Sequence, residues 1–165
     1  DSDMAFALAK VGGDLDAVEP NLEPLRRRGS KLIVYHGWSD PDISPLNTIN
    51  YYESVVSLFQ GSHNRDTALE KTQKFFRLFM VPGMQHCSGG PGPNKFDMLT
   101  ALENWVEKGK SPKQILASHF TEGVLDRTRP LCVYPKVAVY SGKGSSGDAA
   151  NFVCRAAQAD VPHIP

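Results

Sequence analysis

The chain has 165 residues, 41% of them hydrophobic, which is enough for one globular core and short for a two-domain enzyme. Its 18 basic and 18 acidic residues cancel, so no global field favours nucleic acid or an anionic membrane. No apolar run reaches the roughly 18 residues of a membrane span, and no apolar segment follows a basic start as in a signal peptide, although a chain that opens on Asp1 leaves an upstream segment open.

Residues 1 to 20 are mixed and acidic without clear periodicity and read as a surface segment. Asn21 to Arg28 reads as a short helix stopped by Gly29, with the basic run Arg26-Arg27-Arg28 at the end where cations suit the macrodipole. Lys31 to His36 is a β-branched and aromatic run that predicts a buried strand, followed by the turn Ser39-Asp40-Pro41-Asp42. From Pro45 to Phe59 the apolar residues Ile49, Tyr52, Val55, Val56 and Phe59 recur at helical spacing behind Ser44 as N-cap. Asp66 to Lys74 adds a polar helical stretch, and Phe75 to Val81 a second strand, broken by Pro82.

Beyond the glycine-rich loop Pro82 to Pro93, Phe96 to Lys108 is amphipathic through Leu99, Leu102, Trp105 and Val106, with Gly109 at its exit. Gln114 to Phe120 reads as a last short strand, and the remainder as loop with one further strand at Val133 to Tyr140. Gly142 to Gly147 lacks Walker spacing and reads as a flexible loop, not a phosphate cradle. The order strand, helix, strand, helix predicts an α/β fold with a mostly parallel sheet and flanking helices, whose ligand site lies at the carboxyl ends of the strands.

Two candidate groups follow those ends. His86 sits on the glycine-rich loop, where a group titrating near neutrality suits a general base. Asp40 follows the first strand, and Asp before His is the chain order of α/β-hydrolase triads. Competing readings stand beside both: Ser-Asp-Pro-Asp is a turn sequence in its own right, with Asp42 as the rival carboxylate, and a loop histidine often bonds only backbone. His36 ends a strand and reads as a packed, satisfied residue, while His63, His119 and His163 lack flanking loop chemistry. A zinc site from His36, His86, Cys87 and His119 has no compact ligand pair in its spacing. Cys87 is a poor nucleophile for His86, because adjacent side chains diverge. No Gly-x-Ser-x-Gly elbow exists, and Ser88 shares its loop with His86 and follows no elbow strand. Of the three cysteines, Cys132 and Cys154 flank a Gly/Ser-rich excursion; a disulfide between them in an oxidising compartment and three reduced thiols are both open readings.

The runs Lys31-Leu32-Ile33-Val34-Tyr35-His36-Gly37-Trp38-Ser39-Asp40-Pro41 and Phe76-Arg77-Leu78-Phe79-Met80-Val81-Pro82-Gly83-Met84-Gln85-His86-Cys87 closely resemble the tannase and feruloyl esterase family. Gly89 to Pro93, Asn104 to Lys110 and Arg127 to Pro135 extend the likeness, which runs from about Asp14 to Cys154. It implies a secreted or periplasmic α/β-hydrolase that cleaves esters of aromatic acids such as gallate and ferulate. By the same resemblance Asp40 is the triad acid and His86 the base. Cys87 matches a cysteine bonded to the residue just before the nucleophilic serine, and Cys132 and Cys154 match a separate disulfide. The family's amino-terminal half, with its Cys-Ser elbow and oxyanion donors, has no counterpart here, nor has the lid domain that binds substrate and calcium. The expectation is therefore that residues 1–165 form a single partial domain, the C-terminal portion of such an enzyme. It supplies Asp and His, holds no metal or cofactor of its own, is inactive alone, and has the missing half and a small aromatic ester as partners. The alternative is a non-catalytic hydrolase-like binding module.

Overall fold

In the computed structural model, which describes residues 1–61 and 64–157, the first element is a helix, α1 (Ser2–Leu15). Residues 1 to 20, read as a surface segment without clear periodicity, thus contain a regular helix. Met4, Leu8, Val11 and Leu15 lie at helical spacing, but Ala5, Phe6, Ala7 and Ala9 fill the other faces and blur the period. None of its residues is buried. The short helix α2 (Glu23–Arg27) ends as expected at Gly29, whose φ of 74° is the left-handed conformation a glycine adopts freely.

β1 (Leu32–Gly37) is followed by α3 (Pro45–Leu58), α4 (Arg65–Gln73) and β2 (Phe76–Val81). The two strands pair in parallel from Leu32 opposite Phe76 to Gly37 opposite Val81. Because side chains alternate along a strand, β2 feeds two cores. Phe76 and Leu78 pack with Tyr52, Val55 and Val56 of α3 and Ala68 of α4, while Phe79 and Val81 face Met84, Ile115, Ala117, Leu131 and Val133. A strand buried on both faces reads as the near-continuous apolar run seen in the sequence. Ser44 occupies the N-cap of α3 as expected, although its side chain makes no capping bond.

α5 (Met98–Lys108) is capped by Asp97, whose carboxylate accepts from the Thr100 backbone N–H at 2.9 Å, and it ends at Gly109 with φ 64°. Its inward face differs from the expected one. Met98, Ala101 and Trp105 turn to the core, whereas Leu99 and Val106 are 67% and 59% exposed. Trp105 sets this rotation: its ring receives the Arg77 guanidinium at 5.1 Å and the Lys31 ammonium at 5.4 Å.

The parallel arrangement stops at β2. β3 (Gln114–Thr121) and β4 (Val124–Cys132) form an antiparallel hairpin, and β5 (Lys136–Tyr140) pairs antiparallel with β6 (Phe152–Ala156). The mostly parallel expectation therefore holds for β1 and β2 alone. A parallel neighbour needs a long crossover, whereas Glu122 and Gly123 at φ 51° and 82° make a two-residue turn that permits only antiparallel return. β4 was absent from the expected elements because its exposed and half-buried stretch carries the polar run Asp126, Arg127, Thr128 and Arg129, and Pro130 opens its buried end. Its inner end is buried and continues into Val133, which bridges Phe79 of β2. Cys132 and Cys154 are disulfide-bonded, with Cα atoms 5.6 Å apart, which decides between the two cysteine readings and ties β4 to β6. Among the described residues no helix is long and apolar enough to cross a membrane.

Candidate active site

Parallel pairing with Gly37 opposite Val81 brings the carboxyl ends of β1 and β2 side by side, so the loops that follow emerge together. They are stitched by backbone bonds: Trp38 N–H donates to Val81 O at 3.0 Å and Ser39 N–H to Met84 O at 3.0 Å. Gly37 is required at this seam, since a Cβ there would collide with the Met84 carbonyl. The glycine-rich loop then folds back on itself, with Gly92 N–H donating to Gly83 O at 3.1 Å. A Cβ on Gly92 would overlap the Pro82 carbonyl, so the glycines permit backbone-on-backbone packing that holds His86 in place.

Asp40 and His86, 46 residues apart in sequence, meet here: His86 Nδ1 lies 3.0 Å from Asp40 Oδ2. Asp40 is nearly enclosed, with 4% of its side chain exposed, while His86 is 44% exposed and presents its other edge outward. Four donors fill the four acceptor positions of the Asp40 carboxylate. Oδ1 accepts the backbone N–H of Ile43 at 3.0 Å and of Asp42 at 2.9 Å, an Asx turn that the Asp-Pro-Asp sequence favours. Oδ2 accepts from His86 and, at 3.1 Å, from His36 Nε2. The Ile43 N–H, then the Asp42 N–H and His86, hold Asp40 well below the usual carboxylate range, against the opposing effect of burial.

The other candidates fall into place around this pair. Asp42 lies nearby, with an oxygen within 4.8 Å of the Asp40 and His86 ligand atoms, but it engages Asp40 through its backbone N–H. These three residues form a potential metal-ligand group, in which a cation would have to displace the proton that His86 Nδ1 shares with Asp40 Oδ2. His119 belongs to a different cluster on the hairpin, where Nδ1 meets Asp126 Oδ1 at 2.7 Å and Thr121 Oγ1 donates to Asp126 Oδ2 at 2.6 Å. The imagined zinc set of His36, His86, Cys87 and His119 is thereby divided between two places. His63 and His163 lie outside the described residues.

Cys87 is exposed and unbonded among the described residues. It sits at φ 60° inside a tight turn closed by Ser88 N–H donating to His86 O at 2.7 Å. A non-glycine residue in this region is strained, and such strain collects at functional sites. His36 is packed and satisfied, as its sequence position suggested, but its partner is the acidic member of the candidate pair. Sequence reasoning missed that contact. The signal available was the spacing His36-x-x-x-Asp40 across a strand end and turn, which carries no strong pattern by itself.

Comparison with known proteins gives a consistent picture. The family model described as Tannase and feruloyl esterase matches residues 1–155. An uncharacterized esterase of Xanthomonas campestris pv. campestris is 44% identical over 184 aligned positions, which cover 93% of this chain and 32% of that protein. A mono(2-hydroxyethyl) terephthalate hydrolase of Piscinibacter sakaiensis is 48% identical over 143 positions, covering 85% of this chain and 22% of the relative. Among solved structures, an esterase from Aspergillus oryzae superposes with a TM-score of 0.81 at 32% identity, over 93% of this chain and 33% of that one. This chain thus spans about a third or less of the length of these relatives.

Proposed function

The chain belongs to the tannase and feruloyl esterase family, and on that premise we propose that it is the C-terminal, acid and base portion of a serine carboxylic-ester hydrolase acting on esters of aromatic acids. The observation that carries this reading is the 3.0 Å contact between His86 Nδ1 and Asp40 Oδ2 at the carboxyl ends of two parallel strands. The ionised Asp40 accepts the Nδ1 proton of His86, which leaves Nε2 as the basic nitrogen on the exposed edge of the ring. Nε2 takes the proton of a serine hydroxyl as its oxygen attacks the ester carbonyl. It then gives that proton to the departing alcohol as the tetrahedral intermediate collapses to an acyl-enzyme. Water repeats the cycle to release the aromatic acid. Throughout, Asp40 stabilises the imidazolium without itself becoming protonated.

The serine and the oxyanion donors belong to a part of the enzyme outside these residues, since this chain has no Gly-x-Ser-x-Gly elbow. Cys87, exposed beside the base, is the tether: it pairs with a cysteine next to that serine and so binds base and nucleophile together. The proton transfers assigned to this chain need no cofactor from it, the family's calcium belonging to the lid domain. The partners are the remainder of the enzyme and a small aromatic ester, with no role for nucleic acid or a membrane. The Cys132–Cys154 disulfide supports an oxidising location, secreted or periplasmic.

The test is to read the gene upstream of Asp1 and assay the complete enzyme on methyl gallate and methyl ferulate. A Cys-Ser elbow upstream and ester hydrolysis are expected, with His86→Ala lowering kcat by about a thousandfold or more. The 165 residues alone should be inactive. Turnover by the isolated chain that survives His86→Ala, or an upstream region without a nucleophilic serine, would overturn the proposal in favour of a binding module.

A further inference from the structure

His36 is a histidine that the triad does not require, yet it touches the triad's acid. It stands at the end of β1 with 12% of its side chain exposed. Its Nε2 is 3.1 Å from Asp40 Oδ2 and 3.2 Å from the Ile43 carbonyl. Its Nδ1 is 2.7 Å from Thr48 Oγ1, on the first turns of α3. Both groups facing Nε2 are acceptors, so Nε2 carries a proton. In the neutral ring Nδ1 then accepts from the Thr48 hydroxyl, which selects that tautomer.

We propose that His36 is a positioning residue for ester hydrolysis: held by Thr48, it donates from Nε2 to the same Asp40 oxygen that receives His86, and so sets the orientation and the proton affinity of the triad carboxylate. The proposal rests on the assignment of Asp40 and His86 as acid and base. Two consequences follow from the geometry. The first is mechanical. The backbone N–H groups of Asp42 and Ile43 hold only Oδ1, and the His36 donor completes the grip by holding Oδ2, so the carboxylate faces His86 Nδ1 before substrate arrives. An apolar residue at position 36 would fill the space but strand three acceptors or hydroxyls, on Asp40, Ile43 and Thr48.

The second consequence is electrostatic. His36 and His86 share the charge on Oδ2, so His36 limits how strongly Asp40 stabilises the imidazolium that forms when His86 takes the serine proton. Without the His36 donor, that charge falls entirely on His86, the imidazolium is stabilised, and the base becomes available only at higher pH. The titratable side chains that come against Asp40 are His36 from β1, Asp42 from the following turn and His86 from the loop after β2. Of these, the substitution changes only His36.

The experiment compares the complete enzyme carrying this chain with its His36→Leu, His36→Gln and His86→Ala variants on methyl ferulate, recording kcat, KM and the pH profile of kcat/KM. A small misplacement of a catalytic group costs on the order of a hundredfold in rate. His36→Leu is therefore expected to lower kcat between about tenfold and a hundredfold with KM unchanged, and to move the acid limb to higher pH. Gln, whose amide can donate near the position of the imidazole Nε2, is expected to recover kcat to within about threefold of the parent and restore the limb. A loss of folding alone would reduce the amount of active enzyme but leave the limb in place. The proposal is overturned if His36→Leu keeps the parent kcat and limb, or if Leu and Gln lose activity equally with no movement of the limb. An inactive parent, or a His86→Ala variant that remains active, instead overturns the acid and base assignment, and His36's role falls with it.

Discussion

Replacing Asp40 by asparagine gives the sharpest test of the site, because the four hydrogen bonds of the carboxylate decide how the amide must sit. If the amide oxygen turned toward His36 and His86, its NH2 group would face the backbone N–H groups of Asp42 and Ile43, now 2.9 and 3.0 Å from Oδ1. Two donors would then oppose two donors, and backbone amides have no alternative protonation. If the oxygen stays on the backbone side, the NH2 group faces His86 Nδ1 and His36 Nε2; His86 can respond by moving its proton to the other nitrogen, while His36 keeps its Nε2 proton on the Ile43 carbonyl. The second arrangement prevails. His86 then accepts through Nδ1 and carries its proton on Nε2, the nitrogen that the proposed mechanism needs bare to receive a serine proton. The shape of the site is retained while the base is lost, a change worth about ten-thousandfold in kcat for this kind of triad. Steady-state kinetics of Asp40→Asn in the complete enzyme measures the loss, and 15N NMR of the imidazoles reads the tautomer. A variant within tenfold of the parent, or one in which His86 keeps its Nδ1 proton, would refute the reasoning.

Acid should destabilise the fold in a defined window. Asp40, Asp97 and Asp126 are held below the usual carboxylate range, mainly by the Ile43 N–H, the Thr100 N–H and the Thr121 hydroxyl respectively, and Glu23 is lowered to about 2, chiefly by Arg26. With depressed values in the folded state, the unfolded chain takes protons first. Their stabilisation is complete above the ordinary carboxylate range near pH 4 and is lost as pH falls through the folded values. Urea midpoints should therefore fall below about pH 4, less steeply in Asp40→Asn, and a midpoint independent of pH down to 2 would contradict this. Removing the disulfide by Cys132→Ser with Cys154→Ser frees a 22-residue separation and should cost about 3 kcal/mol in urea unfolding; a cost near zero would show that β4 and β6 hold together without it. Thr72 is fully buried on α4 with no partner for its hydroxyl among the described residues, so Thr72→Val should stabilise by about 1 kcal/mol. Destabilisation of similar size would mean that the hydroxyl is satisfied.

Much of the local structure is legible in the residues. The apolar period of Ile49, Tyr52, Val55 and Val56 marks α3, the runs ending at Gly37 and Val81 mark β1 and β2, and Gly29 and Gly109 stop their helices, because each pattern reports a backbone conformation or a buried face a few residues wide. The same patterns were silent on β4. Its polar run is stabilised by pairing with β3, and partner identity is not written in a strand's own alternation. The apolar stripe of α1 was present in the sequence but masked by the alanines and Phe6 around it. Position along the chain placed Asp40 and His86 after neighbouring strand ends, and the family likeness named their roles. Only the parallel register of β1 and β2 set them 3.0 Å apart, and only the side-chain packing turned His36 toward the same oxygen. Local conformation follows from nearby residues. A shared carboxylate oxygen depends on three side chains converging from a strand, a turn and a loop, and that convergence exists only once the tertiary fold has formed.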